Sequence, residues 1–154
     1  MKDEILGELS ASERFPDVLE GSVALQGRQI PIAVDPDGAD ISTCVVLART
    51  IVSAISKFDQ IARMQAAQAL LDEYNKSWRE YEKATGDGRF IEVSNPEISS
   101  EEFAGRLTLH SIRVIGDSSC TLGYDDGGLF AGHSIFVTSF DGAQFKDVYA
   151  ELFG

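Results

Sequence analysis

The apolar spacing of this chain changes period twice, and that limits its fold more than any other feature. Up to about Asp40 apolar residues alternate, as Ile30, Ile32 and Val34 do. From Ser42 to Thr85 they recur every three or four residues. From about Phe90 alternation returns. Period two marks half-buried strands, and period 3.6 marks amphipathic helices. Strands, then helices, then strands is an α+β order, without the strand–helix–strand repeat of a doubly wound parallel sheet. The expectation is a mostly antiparallel sheet covered on one face by a helical pair. At 154 residues the chain suits a single α+β domain, residues 1–154.

Local signals refine this outline. Gln26-Gly27 suits a hairpin turn between Val23–Leu25 and Ile30–Val34. Pro31 lacks an N–H, which predicts an edge strand or a position near a strand start. Asp35-Pro36-Asp37-Gly38 has turn chemistry. Ser42 is expected to cap a first helix with Cys44, Leu47, Ile51, Ile55 and Phe58 on one face. A break is expected within 56–60, where Asp59 could cap a second helix. Its stripe would be Ile61, Met64, Ala67, Leu71, Tyr74, Trp78 and Tyr81. Ser99 and Glu102 form a capping box. Apolar parity shifts between Leu109 and Ile112, which predicts a bulge near His110 and Ser111. Later strands should carry Cys120, Leu122 and Tyr124, then Ile135 and Val137, then Val148, Ala150 and Leu152.

Charge excludes some functions. The net charge is −12, from 13 bases and 25 acids. Both outer thirds are acidic, and residues 41–90 are nearly neutral. Such a field repels phosphate backbones and anionic lipid surfaces, so no nucleic-acid or membrane partner is expected. It attracts a basic protein. No apolar run approaches the ~18 residues that span a bilayer. Met1-Lys2-Asp3-Glu4 is followed by no apolar signal region, so a cytoplasmic location is expected. Cys44 and Cys120 sit among apolar neighbours and read as buried small hydrophobes.

Catalytic signatures fail on inspection. There is no phosphate-binding glycine loop of the G-x-x-x-x-G-K or G-x-G-x-x-G kind. Gly132-His133-Ser134-Ile135-Phe136 begins like a nucleophile elbow, but Phe136 occupies the position that needs glycine. Asp35–Asp40 resembles a calcium loop without its final Glu. Asp125, Asp126, His133 and His110 could supply two histidines and a carboxylate to a metal. The plainer expectation is that the loop aspartates cap turn amides. Adjacent strand residues point to opposite faces, so Asp125 and Asp126 are poorly placed to share a proton. No cofactor and no metal are expected.

The segment Tyr124-Asp125-Asp126-Gly127-Gly128-Leu129-Phe130-Ala131-Gly132-His133-Ser134-Ile135 is distinctive. With Arg106-Leu107-Thr108-Leu109-His110-Ser111-Ile112 it resembles a family of uncharacterised bacterial domains. Members carry a D-D-G-x-L-F-x-G-H-S-I pattern. The resemblance extends over most of the chain and implies a fold rather than a reaction. This chain has Gly128 where an acid is common and Ala131 where an aromatic is common.

These readings lead to a non-catalytic protein-binding domain. Fold and composition are similar to immunity proteins that bacteria pair with toxins, so a basic partner is expected. Candidate binding residues are Tyr124, Asp125, Asp126, Phe130 and His133. One alternative is a metal-dependent enzyme or ligand-binding domain centred on Asp125, Asp126 and His133. Another is a homo-oligomeric module that uses an exposed strand edge.

Overall fold

The computed structural model describes residues 1–154, and its elements follow the three-part pattern. Five strands come first: β1 (Lys2–Asp3), β2 (Gly7–Glu8), β3 (Ser10–Ala11), β4 (Leu19–Leu25) and β5 (Arg28–Asp35). Two helices follow, α1 (Ile41–Ser53) and α2 (Ile55–Glu73), the latter running into a π turn over Tyr74–Trp78. Then come β6 (Glu80–Ala84), β7 (Phe90–Ser94), α3 (Ser100–Arg106), β8 (Thr108–Ile115), β9 (Ser119–Asp125), β10 (Ser134–Ser139) and β11 (Val148–Phe153).

Seven strands form the main sheet in the order β11-β10-β9-β8-β5-β4-β3. All its pairings are antiparallel except β5 with β8. The chain is therefore α+β, with a mostly antiparallel sheet. Inward residues Val23, Ile30, Ile32, Val34, Ile112, Val114, Leu122, Ile135 and Val137 are buried in one cluster with Cys44, Ala48, Ile51, Phe58 and Leu70 of the helices. α1 packs on β5 and β8, and α2 packs on β10 and β11. Both helices lie on the same side, and the other face of the sheet carries no helix. No single helix is long and apolar enough to cross a membrane.

Several local expectations are corrected. Asp40, not Ser42, caps α1: its carboxylate accepts the Ser42 N–H at 2.8 Å. The helix break falls at Ala54, where φ is −121° and ψ is 29°, and the helices bend by 82°. Asp59 therefore lies within α2, where its carboxylate reaches sideways to Arg63 and Tyr124. The buried face of α2 is Phe58, Ala62, Ala66, Ala67 and Leu70, while Met64 is exposed. Small alanines let the helix sit close to the sheet. Pro31 lies in an interior strand, but the β8 ladder starts only at Ile32, so its missing N–H falls outside that ladder.

The largest correction concerns residues 80–94. The helical spacing predicted a helix through Thr85, yet Glu80–Ala84 is a strand paired with Phe90–Ser94. Arg79 ends the helix. Its backbone N–H donates to Tyr74 O, and its side chain donates to Asn75 O at 2.8 Å and Asn95 O at 3.0 Å. Asn95 N–H in turn donates to Arg79 O. The chain is thereby closed into a hairpin base. Phe90-Ile91-Glu92-Val93, rich in β-forming residues, supplies the second strand. Tyr81 consequently belongs to the hairpin and is half exposed.

Candidate functional site

Two regions hold the chemistry-bearing residues: the loop between β9 and β10, and the helix-free face of the sheet. The loop follows from strand alternation. Tyr124 points into the core, Asp125 is exposed, and Asp126 is buried again. Asp126 then organises the turn. One carboxylate oxygen accepts the Gly128 N–H at 2.8 Å. The other accepts Phe130 N–H at 2.7 Å and Gly132 N–H at 3.0 Å. An acid hydrogen-bonded in this way satisfies donors that the turn cannot pair internally.

The glycines and one alanine supply the backbone shape. Gly127, Gly128, Ala131 and Gly132 have φ of 60°, 82°, 55° and 83°. At Gly127 a Cβ would also collide with the Arg106 backbone. The turn delivers Phe130 to a fully buried position with edge-on contacts to Tyr74, Trp78 and Phe103. His133 stacks edge-on to Trp78 at 5.5 Å, and its Nδ1 pairs with Phe130 O.

Tyr124 belongs to a different network. Its hydroxyl donates to Asp59 Oδ1 at 2.7 Å, and Arg63 Nε contacts both Asp59 oxygens at 3.0 Å. Arg63 Nη1 donates to the carbonyls of Ala104 and Leu107, at 2.9 Å for Ala104. Burial, then the Asp59 charge, holds the Tyr124 hydroxyl far above the ordinary phenol range, so it stays protonated. Burial also raises the Cys44 thiol and pushes Cys120 up to about 12. Neither is a ready thiolate.

The five candidate residues thus divide. Asp126, Phe130 and His133 share one loop, Tyr124 faces the core beneath it, and Asp125 faces outward at the end of β9. No group of three or more His, Cys, Asp or Glu side chains is arranged to hold a metal ion. Asp126, the most enclosed of the three residues proposed for such a centre, has both oxygens committed to amides.

The helix-free face holds residues that spacing alone did not single out. Register places Glu20, Ala33, Arg113, Thr121, Thr138 and Tyr149 in one row across six strands. An open groove of about 550 Å³ runs over this row, with Glu20 and Glu151 among its lining residues and Phe136 forming part of one wall. Five strand spacings of ~4.8 Å separate β4 from β11, so the two acids stand roughly 24 Å apart. The expected bulge is present between Leu109 and Ser111, leaving His110 without a partner on β9. Both His110 and Ser111 approach the vacant side of Gly123. A Cβ there would collide with Ser111 Oγ and press on Phe136 and His110 at 3.1 and 3.2 Å. Arg113 is neutralised by Asp35 at 2.7 Å, leaving the groove with an acidic balance. The parity shift was the available signal for His110 and Ser111. Glu20 and Glu151 carry none, because outward strand acids are common.

A one-sided, mostly antiparallel sheet backed by two crossed helices, with an aspartate-braced glycine loop at its end, defines an α+β fold. The chain belongs to the bacterial family described as "Uncharacterized protein conserved in bacteria (DUF2262)", whose family model matches residues 3–148. No curated protein and no solved structure matches it.

Proposed function

We propose that this chain is a non-catalytic protein-binding domain of the toxin-immunity type, which holds a basic partner in the cytoplasm. The carrying observation is the helix-free face: an open groove lined by Glu20 and Glu151 with an aromatic wall at Phe136. Phe136 and Phe153 pair at 5.4 Å, and Phe153 and Tyr149, both on β11, are exposed. Aromatic anchors within a charged rim are the usual makings of a protein interface. The net charge of −12 steers a basic partner toward this surface and raises its association rate.

The test begins with cross-linking in the native bacterium, followed by reconstitution from the two purified proteins. The expected result is a stoichiometric complex with a basic protein. Its affinity should fall about tenfold or more in a Glu20→Lys/Glu151→Lys variant. Failure of purified components to associate, or an affinity unchanged by both substitutions, overturns the reading.

A further inference from the structure

The hairpin β6–β7 stands apart from the core. Nine of its ten strand residues are exposed, and its strands pack chiefly on each other. An isolated two-stranded hairpin is marginally stable in water. This one is braced at its base by Arg79 and Asn95, and at its tip by the Thr85 and Asp87 side chains around Gly88. Such bracing holds out an arm that contributes little to the core.

The arm has two unlike faces. Register puts Tyr81 opposite Val93 and Lys83 opposite Ile91, giving one mainly apolar face. The other face has Glu80 opposite Ser94, Glu82 opposite Glu92, and Ala84 opposite Phe90. Like charges directly opposed across a strand pair are destabilising. Neither Glu82 nor Glu92 has a salt-bridge partner: Arg79 pairs with Glu80, Arg89 pairs with Asp87, and Lys83 lies on the opposite face, across from Ile91. On the apolar face Tyr81 and Ile91 are each 50% exposed. An exposed apolar face backed by opposed carboxylates fits a binding surface better than a structural one. A second copy of this chain is the wrong occupant, since the acidic faces and two charges of −12 repel.

We propose that the β6–β7 hairpin is a docking arm for a basic protein cleft. Glu80, Glu82 and Glu92 meet lysine or arginine on one wall, and Tyr81, Ile91 and Val93 lie against an apolar wall. This rests on the protein-binding function proposed above and adds a second contact region, remote from the sheet groove.

The test is an NMR titration of the full-length, ¹⁵N-labelled protein with a dodecapeptide of alternating lysine and valine. Amide shifts should concentrate within residues 80–94. Glu82→Gln/Glu92→Gln removes the repulsion and keeps side-chain size, so it should slow amide exchange in the hairpin while weakening the peptide about tenfold. A Glu97→Gln/Glu101→Gln control, equal in charge change, should weaken it about twofold at most. Unchanged affinity in the hairpin variant overturns the arm. Shifts confined to the surroundings of Glu20 and Glu151 overturn the arm and leave the groove reading intact. No shifts at either place count against both.

Discussion

Tyr124 Oη donates to Asp59 Oδ1 at 2.7 Å, joining a central strand to the first turns of α2. Arg63 then carries the link on to the carbonyls at the end of α3. One polar chain thus ties β9, α2 and α3 together. Removing the hydroxyl in Tyr124→Phe leaves Asp59 still paired with Arg63, so the loss should be about 1 kcal/mol. Arg63→Met strands an acid and two carbonyls together, and should cost about 2 kcal/mol or more. Urea unfolding checks both: midpoints should fall in that order with the slope unchanged. Equal losses would mean the chain does not run through Arg63.

Asp125 and Asp126 are neighbours with opposite duties. Asp126 holds three amides of the loop, whereas Asp125 is exposed. Asp126→Ala should destabilise the protein by about 3 kcal/mol, because three donors lose a charged acceptor. Amide exchange at Gly128, Phe130 and Gly132 should rise first. Asp125→Ala should stay within about 0.5 kcal/mol of the parent. A stable Asp126→Ala protein with an unaltered loop would contradict the bracing role.

Gly127 and Gly128 separate conformational strain from collision. Both have positive φ, but a Cβ at Gly128 meets open space, while one at Gly127 overlaps the Arg106 backbone. Gly128→Ala should cost about 1 kcal/mol, the ordinary penalty for a left-handed alanine. Gly127→Ala should cost about 3 kcal/mol, because Arg106 cannot yield without moving the Leu107 carbonyl that Arg63 holds. Thermal melts of the two variants give the comparison directly.

These positions also show how much the sequence conveys. The bulge at His110 was legible because a bulge shifts apolar parity, and the Ser99 cap was legible because its Glu102 N–H bond is local. Cys44, Ile51, Val34 and Val137 all fell on the core side, since burial imposes their period. The hairpin at 80–94 was not legible. Glu80-Tyr81-Glu82-Lys83-Ala84 has helical composition, and the pairing with Phe90–Ser94 and the binding of Arg79 back to Asn75 and Asn95 decide otherwise. The groove acids Glu20 and Glu151 were equally silent: they are far apart in sequence and only strand order brings them to one groove. The role of the loop residues rests on their geometry alone.

Asp3 gives the protein a specific acid sensitivity. The Arg49 side chain donates to its carboxylate, Leu6 and Ile5 amides add to this, and together they hold its pKa down at about 2 against the ordinary 3.8. A value depressed by folding means the folded state binds the proton less readily than the unfolded state. The stabilisation is therefore complete above the unfolded value and is lost as pH falls from about 4 to about 2. Asp3→Asn should be less stable than the parent at pH 7, and the gap should close across that window. Arg49→Met should narrow the gap from the other side, by raising the Asp3 pKa toward its ordinary value. Chemical denaturation between pH 7 and pH 2 measures it, and a gap that stayed constant to the acid end would show that Asp3 acts through packing rather than through its charge.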